Sequence, residues 1–396
     1  MCSEYIEIPV GPQHPALKEP IRFVFRIDGE IVVGVEPRLG YAHRGIEKLA
    51  ESRNYVQNIY LFERVCGICS AAHTTCYVEA VERLLGLDAP PRARYLRTIV
   101  HELNRIHSHL LWFGILAHEI GFDTLFMYAW RDRELLLDVV EALTGNRVLY
   151  AYNLIGGVRH DLTPHVEESL RKVLRYLRER AEYYKRVVEE DKLIRARTVG
   201  VGVLSKRDAI ALGAVGPTAR GSGVDTDVRR DDPYAAFDEV DFNVVVRDEG
   251  DAYAKTMVRI CEIVESINAI EDALSKMPGG EIRVKAPLRV PEGEVVARVE
   301  APRGELLYYV KSNGTDRPER VKVRTPTLAN IPAVCKMLSQ AYVADIPVIV
   351  ASIDPCIACM DRVVLVDVRS GETHVVSGRE LRRYAIEWYE RRGVGS

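Results

Sequence analysis

Two cysteine pairs with the same spacing stand near opposite ends of this 396-residue chain. Cys66 and Cys69 form the first Cys-x-x-Cys pair, and Cys356 and Cys359 form the second, almost three hundred residues later. Two intervening residues allow both thiolates of a pair to turn toward one ion, and Gly67 leaves room where the backbone must bend. The pairs therefore predict a single metal site, which is complete only when the whole chain has folded.

The spacing by itself leaves the kind of metal site open. Structural zinc is the commonest use of two such pairs, but its pairs usually lie within about 15–20 residues of each other. Pairs that are separated by most of a large chain favour a buried site between secondary-structure elements, where the surrounding residues control a reactive metal. Thiolates also suit several soft metals. Structural zinc and a catalytic thiolate-bound metal are both compatible with the spacing.

Composition excludes several classes of protein. Hydrophobic residues make up 47% of the chain and charged residues 28%, which is typical of a globular protein with a sizeable core. The net charge of -3 predicts no nucleic-acid partner. Eight cysteines are too few for a disulfide scaffold and fit a reducing compartment. The sequence contains no apolar run of about 18 residues, so neither a membrane span nor a signal peptide is expected. We therefore expect the chain inside the cell.

Hydrophobic periodicity predicts an α+β fold that is dominated by helices. Alternating runs on either side of a turn at Asp28-Gly29 indicate a small N-terminal sheet, and helical patterns broken at Pro90-Pro91 and near Gly121 indicate a central bundle. The glycine-rich segment 200–234 lacks a phosphate-binding motif and predicts an irregular, packed connection. Short strands return after residue 281. Four regions are expected: an N-terminal β-sheet region (1–40), the helical bundle with the first cysteine pair (41–280), an α/β region with the second pair (281–362) and a C-terminal extension (363–396).

Several polar residues have ordinary structural explanations. His14 and Glu19 lie in the loop of the N-terminal region, where solvated residues are common. Glu47 falls in a first helical turn, where the helix dipole favours a carboxylate, and Thr327 is in a position typical of a helix N-cap. Burial of Arg303, on a tight turn between two strands, would require an anionic partner. Histidines of the bundle are predicted to have structural roles, since none forms a metal-binding pair: His101, His107, His109 and His118.

The residues around the cysteines resemble the two cysteine motifs of the large subunit of nickel-iron hydrogenases. The first motif reads RVCGICSAAH and the second SIDPCIACMDR. The segments GPQHPALKEP, YAHRGIEKL, AVGPTARGSG and EAPRGEL are similar to the membrane-bound, energy-converting group (group 4) of that family and to the 49 kDa quinone-site subunit of respiratory complex I. The resemblance extends from about residue 8 to residue 362. Because complex I relatives have lost the metal cysteines, the presence of all four favours a hydrogenase.

This resemblance implies a nickel ion and an iron that carries carbon monoxide and cyanide. It makes Cys66 and Cys356 terminal nickel ligands, and Cys69 and Cys359 bridges between nickel and iron. It also implies that Glu19 transfers protons and that Arg303 stands over the iron, whereas His14 matches a quinone-facing histidine of complex I relatives. The other polar residues that the resemblance places near the metals are Glu47, Arg64, His73, Asp123, Thr327, Asp354 and Arg362. Arg362 replaces a second-cation ligand of the family, so no magnesium site is expected.

The implied function is that of a catalytic large subunit that interconverts protons and dihydrogen at the cytoplasmic face of a membrane complex. Because the chain has no further cysteine clusters, iron-sulfur clusters are expected only in a partner subunit, and membrane subunits would couple electron transfer to ion translocation. A maturation protease is expected to cut after Arg362. The tail itself predicts a hairpin and a helix from Arg379 to Arg391, and permanent packing is the alternative to its removal. Alternative functions are a sulfur- or polysulfide-reducing relative and a non-catalytic coupling subunit with structural zinc.

Overall fold

The computed structural model describes residues 5–15, 17, 19–360, 365–366, 373–374 and 378–393. Helices dominate this part of the chain, which confirms the predicted α+β class. The strands are β1 (Ile6–Val10), β2 (Arg22–Asp28), β3 (Ile31–Arg38), β4 (Asn153–Leu154), β5 (Gly157–Val158), β6 (Gly293–Ala301), β7 (Gly304–Ser312), β8 (Pro318–Arg324), β9 (Leu365–Val366) and β10 (Thr373–His374). The helices are α1 (Ile46–Ala50), α2 (Tyr55–Glu63), α3 (Ser70–Leu85), α4 (Pro91–Ile120), α5 (Asp123–Thr144), α6 (Pro164–Glu190), α7 (Lys192–Thr198), α8 (Lys206–Ala211), α9 (Pro217–Arg220), α10 (Val228–Asp231), α11 (Ala252–Lys276), α12 (Pro326–Leu338), α13 (Ile346–Ser352) and α14 (Gly378–Arg391).

The bundle is built on the long helix α4, which packs against α5 and α11. Pro91 occupies its first turn, where the missing N–H costs nothing, and Gly121 ends it in a left-handed conformation. Both predicted helix breaks are therefore confirmed. The apolar faces of α4, α5, α6 and α11 meet in one large hydrophobic cluster, so this bundle is the rigid part of the molecule.

Two three-stranded antiparallel sheets flank the bundle, with the orders β1-β2-β3 and β6-β7-β8. The first contains the predicted hairpin, in which Asp28 pairs with Ile31 around Gly29 at φ +59°. The second packs against α3 and thereby lies beside the first cysteine pair. Both sheet regions predicted from the sequence are confirmed.

Apolar residues at three- and four-residue steps within residues 40–65 predict a loop and then one helix before the first cysteine pair, but the structure has two helices there, α1 and α2. Asn54 begins α2 with a capping box, because its side chain accepts from the Gln57 amide (2.8 Å) and the Gln57 side chain accepts from the Asn54 amide (3.1 Å). A cap of this kind fixes a new helix start rather than a continuous helix. The expectation of one helix was therefore wrong in this detail.

The hydrophobic clusters cross the region boundaries that were expected from the sequence. Phe23 and Phe25 of the N-terminal sheet pack with Val334 of α12 and Ile349 of α13. A second cluster joins the helices around the first cysteine pair to β6, β7 and β8. The first three expected regions thus share their cores, and the N-terminal sheet and the elements of residues 293–360 pack around the cysteine pairs.

The tail contains the predicted hairpin strands and helix. Strands β9 and β10 pair antiparallel, and α14 begins one residue before the predicted start. Arg362 and the bond that follows it lie outside the described residues, so the expected protease site stays a prediction. None of the helices in the described part of the chain combines the length and the hydrophobicity that a membrane span requires.

Two glycines let the loop before α9 lie directly on the turn between β6 and β7. Gly216 adopts φ +64° and Gly304 φ +123°, conformations that favour glycine. A Cβ atom on Gly216 would lie 2.3 Å from the Cα of Gly304, and one on Gly304 would lie 2.7 Å from the amide nitrogen of Gly216. This backbone contact confirms the packed connection and supports the turn that carries Arg303.

We expect Gly216→Ala to lower the free energy of unfolding by about 2–4 kcal/mol, because the substitution combines backbone strain with a steric clash. Gly213→Ala is the matched control, since Gly213 has φ +65° but no atom within 4 Å of a new Cβ. Its strain alone should cost about 1–2 kcal/mol. Denaturant unfolding of both variants measures the difference, and equal losses would contradict the role given to the backbone contact.

Candidate metal centre

The structure brings the four cysteines of the two pairs together. The Sγ atoms of Cys66 and Cys356 are 3.1 Å apart, those of Cys69 and Cys359 are 3.8 Å apart, and those of Cys356 and Cys359 are 2.9 Å apart. No member of the set is more than 5% exposed, and none forms a disulfide. Four free thiols that converge in a buried position are a donor set suited to soft metals.

Each pair sits in a short loop that is fixed by neighbouring elements. The first loop connects α2 to α3, and the amides of Ile68 and Cys69 point at Cys66 Sγ over 3.3 and 3.4 Å. The second follows α13 and ends in a 3-10 turn over Ile357–Cys359. Hydrogen bonds from the other cysteines, Cys356 first, lower the pKa of Cys69 well below its usual range. Burial and the neighbouring thiols raise the pKa of Cys359 well above its usual range, and the pKa of Cys356 is raised as well. Without a metal, the set therefore favours a thiolate at Cys69.

His73 lies beside the second cysteine of each pair. Its Nε2 atom is 3.7 Å from Cys359 Sγ, and its Nδ1 atom is 2.7 Å from the Tyr308 hydroxyl. Both residues are buried. Sequence reasoning found His73 but missed Tyr308, whose only signal is its place on the inward side of the alternating strand β7. Tyr308 fixes the ring orientation of His73, as outer partners of site histidines commonly do.

Arg303 has the anionic partner that its burial requires. It donates to the Asp354 carboxylate and to the Asp354 carbonyl, each over 2.7 Å, and to Ser108 Oγ over 3.2 Å. Burial lowers the pKa of Arg303, but the Asp354 carboxylate and the charges of the site cysteines together outweigh burial and raise the pKa well above its usual range. Because Asp354 precedes the second cysteine loop by two residues, this ion pair fixes a permanent cation next to that loop.

Two predicted residues hold the backbone of the second loop. The Cys356 amide donates to Thr327 Oγ1 over 3.1 Å, and the Ala358 amide donates to Glu19 Oε2 over 2.9 Å. The prediction of Thr327 as the N-cap of its helix was wrong, since Thr325 is the N-cap of α12. Because α12 begins at Pro326, Thr327 lies within the helix and its hydroxyl accepts from the second cysteine loop instead of capping the helix.

Glu47 lies in the first turn of α1, as the ordinary reading predicted. Its carboxylate accepts from the Val323 amide (2.9 Å) and from Lys322 Nζ (3.2 Å), and Arg320 lies 4.0 Å away. These contacts connect α1 to β8. Within the described residues, Arg320 and Lys322 of β8 thus supply positive charge next to Glu47.

Arg64 and Asp123, which were expected near the metals, instead have exposed side chains. The Arg64 side chain is 55% exposed and donates to the Tyr60 carbonyl, while the Asp123 side chain is 73% exposed and pairs with His118. Both residues stand at helix ends, where the packing of neighbouring elements determines whether a side chain points to solvent or into the protein. These two expectations are not supported. His14 is exposed in the N-terminal loop, and Arg362 lies outside the described residues.

An apolar cavity of about 270 Å³ adjoins the second cysteine loop. Its walls come mainly from apolar side chains of β2, α4, α12 and α13, including Trp112, with Trp130 of α5 at one side. Its polar lining comprises Glu19, Glu119, Arg303 and Asp354. The cavity therefore gives a small molecule room beside the cysteine centre, and its wall contains the carboxylates of Glu19, Glu119 and Asp354 and the guanidinium of Arg303.

The buried histidines of α4 have the structural roles that were predicted. His101 Nε2 lies 2.9 Å from the Glu300 carbonyl oxygen, His107 Nε2 lies 3.4 Å from Arg133, and His109 Nε2 lies 2.8 Å from the Glu262 carboxylate. Burial lowers the pKa of His101 and His109 to about 4 and that of His107 to about 3. These rings stay neutral in the folded chain near neutral pH.

We expect the metal-free chain to lose stability as the pH falls from 6.5 to 4.5. An unfolded histidine has a pKa near 6.5, so in this range the unfolded chain binds protons on His101, His107 and His109 that the folded chain does not. Burial raises the pKa of Glu300 to about 7, so the folded chain binds a proton on Glu300 that the unfolded chain does not bind. The net difference of about two protons corresponds to a loss of about 3 kcal/mol per pH unit.

Denaturant unfolding at pH 7, 6 and 5 measures this slope. His101→Gln should reduce the slope of unfolding free energy against pH by the amount that corresponds to about one bound proton. His165→Gln, at an exposed position, should leave the slope unchanged. Equal stability at pH 7 and pH 5 would contradict the assignment of neutral buried histidines.

Comparison with known proteins gives matches over nearly the whole chain. Residues 119–290 and 283–362 match the family described as respiratory-chain NADH dehydrogenase, 49 Kd subunit, and residues 44–119 match nickel-dependent hydrogenase. The chain is 46% identical to the carbon monoxide-induced hydrogenase of Rhodospirillum rubrum, over 90% of this chain and 99% of that protein. It is 42% identical to the membrane-bound hydrogenase subunit alpha of Pyrococcus furiosus, over 97% and 93%.

A solved structure also matches the fold. It belongs to the membrane-bound sulfane sulfur reductase, an archaeal respiratory membrane complex, with a TM-score of 0.87 and 35% identity over 91% of this chain and all of that one. Fold and site together define an oxidoreductase subunit with a cysteine centre. The chain belongs to the family of large subunits that comprises the group 4 membrane-bound nickel-iron hydrogenases and the 49 kDa subunit of respiratory-chain NADH dehydrogenase.

Proposed function

We propose that this chain is the catalytic large subunit of a membrane-associated nickel-iron hydrogenase, which interconverts protons plus electrons and dihydrogen. One observation carries the proposal: four buried, free cysteines from both motifs converge, and each sulfur has a neighbouring cysteine sulfur at 2.9–3.8 Å. A coupling subunit with structural zinc would also use this set, and metal content separates the two. Relatives of both branches share the chain's length, so the four cysteines are what favours the hydrogenase branch.

The donor set fits a nickel and an iron that share ligands. Ligand atoms of Cys66, Cys356 and Cys359 lie within 4.8 Å of one another, and so do those of Cys69, His73 and Cys359. Both groups contain Cys359, which fits a ligand shared by two metals. By the family resemblance, Cys66 and Cys356 would hold nickel alone, and Cys69 would join Cys359 in holding both nickel and iron. When bound, the nickel-iron group with its carbon monoxide and cyanide ligands would supply the heterolytic cleavage of dihydrogen.

The chain's own residues would hold charge and move protons at this centre. Arg303, fixed by Asp354, would present a cation to the cyanide side of the iron. Glu19 is held against the second cysteine loop by the Ala358 amide and also faces the cavity, so its carboxylate could exchange protons between a cysteine sulfur and the cavity. His73, oriented by Tyr308, would steady the charge on Cys359. The placement of these side chains supports the proposed roles.

Electrons would pass to or from an iron-sulfur partner subunit, and membrane subunits would couple that flow to ion translocation. The chain would lie peripherally at the cytoplasmic face of such a complex. This part of the proposal is supported by the membrane-bound complexes named among the relatives.

An infrared spectrum and an elemental analysis of the purified complex test the proposal. We expect metal-bound carbonyl and cyanide bands together with nickel and iron in about equal amounts. One zinc per chain, with no nickel and no such bands, would instead support the non-catalytic coupling subunit and overturn the hydrogenase.

A sulfur- or polysulfide-reducing activity is the second candidate. The cavity favours it, because about 270 Å³ of apolar space is far more than dihydrogen needs and would suit a chain of sulfur atoms. The similar fold of the sulfane sulfur reductase points in the same direction. Assays with a reduced viologen dye separate the two activities. A hydrogenase evolves dihydrogen without added sulfur, whereas a sulfur reductase forms sulfide only when polysulfide is supplied.

A further inference from the structure

Arg44 connects the two cysteine loops through its side chain. It lies between β3 and α1, and its Nη1 atom donates to the Arg64 carbonyl over 3.0 Å. Its Nη2 atom donates to the carbonyls of Val65 and Ala358, each over 2.8 Å. Arg64 and Val65 directly precede the first cysteine of one pair, and Ala358 directly precedes the second cysteine of the other. One guanidinium therefore contacts both halves of the centre.

The chemistry of this contact requires an arginine. A guanidinium offers five N–H donors in a rigid planar fork, so it can serve several carbonyls at fixed angles, whereas a lysine offers one compact ammonium group. Hydrogen bonds from an ionised donor are about twice as strong as neutral ones. The bonds to the two loops join positions that are up to 314 residues apart in the chain. They consist of protein atoms alone and need no metal.

Among the described residues, the thiols themselves also meet across the two loops, whereas the following side chains each hold one loop. Asn104 donates to the Ile68 carbonyl of the first loop, while Thr327 and Glu19 accept from amides of the second. None of these bonds sets the distance between the loops. Arg44 does, because three carbonyls from the two loops converge on one planar group.

We propose that Arg44 is a positioning residue that holds the two cysteine loops in register before any metal is bound. The proposal rests on the proposed function for the identity of the metal only. A site whose ligands are already placed loses less conformational freedom when it binds an ion, so the same thiols hold the ion more firmly. Arg44 lies in the segment YAHRGIEKL, but the sequence gives no signal of this role, since the partners of Arg44 are backbone atoms of distant residues.

Hydrogen–deuterium exchange of the metal-free full-length chain tests the proposal directly. Wild type is compared with Arg44→Gln, which removes the charge and the fork, and with Arg44→Lys, which keeps the charge. The control is Arg83→Gln, at an exposed arginine that donates to one carbonyl, that of Val296 (3.4 Å). We expect amides of residues 64–70 and 355–360 to exchange about tenfold faster in Arg44→Gln and to an intermediate extent in Arg44→Lys. Arg83→Gln should leave both segments unchanged.

Unchanged exchange of both segments in Arg44→Gln would overturn the proposal. Faster exchange across the whole chain in both Arg44 variants would also overturn it, because it would show a general role in folding. In the assembled complex, Arg44→Gln should lose its metal to a chelator about tenfold faster than wild type. If that metal proves to be zinc, the hydrogenase proposal fails while the exchange experiment still decides the role of Arg44.

Discussion

Serine at any one of the four site cysteines is expected to abolish both the dihydrogen activity of the complex and its nickel content. The serine hydroxyl is a harder donor than a thiolate and stays protonated near neutral pH, so one substitution opens the site. Because the four sulfurs lie within 2.9–3.8 Å of their neighbours, the loss of one also removes a contact that orders the others. Elemental analysis and a dihydrogen evolution assay on each purified variant measure the effect.

Cys261→Ser and Cys335→Ser are the matched controls, since both cysteines are half-buried and neither belongs to the converging groups of ligand atoms. They should keep nickel and activity. Cys76 also stands outside the two pairs, but it is fully buried and donates to the Ala297 carbonyl, so it is not a fair control. Cys2 lies outside the described residues. Full nickel content in any single variant of the four site cysteines would contradict the shared metal site.

Glu19→Gln is expected to lower proton-dependent turnover by roughly 10²–10⁴ while nickel content persists. The amide side chain keeps an oxygen for the Ala358 amide, so the second cysteine loop should stay in place. Only the capacity to exchange a proton is lost. Turnover with a reduced viologen dye, measured beside nickel content, separates a lost proton carrier from a damaged centre.

Glu7→Gln serves as the control for this variant, since Glu7 is an exposed carboxylate of the same N-terminal sheet and pairs with Arg26. It should retain full turnover. Wild-type rates in Glu19→Gln would show that protons leave by another route. A loss of nickel together with activity would assign Glu19 to the support of the loop rather than to proton transfer.

Most of the fold could be predicted because its signals are local. Pro91 and Gly121 mark the ends of α4 through their own backbone preferences, and the turn at Gly29 defines the first hairpin. The break between α1 and α2 was missed although its signal, Asn54 followed three residues later by Gln57, is also local. Capping pairs with a glutamine are easily overlooked in a segment whose apolar residues continue at helical spacing.

The site was predictable only where chemistry restricts the choice of partner. Cysteine spacing identified the four thiols, and the cost of an unpaired buried cation required the partner that Arg303 finds in Asp354. The contact of Tyr308 with His73 and the misplaced expectation for Asp123 depend instead on how distant elements pack. No pattern within one segment contains that information.

The separation of the cysteine pairs also has a consequence for biosynthesis. The first pair leaves the ribosome 290 residues ahead of the second, which at roughly 5–20 residues per second amounts to about 15–60 s. During this interval a nascent chain presents two thiols that can bind stray copper or zinc but lacks the other half of the centre. A complete four-cysteine centre can therefore form only after the second pair has emerged and the two loops have met.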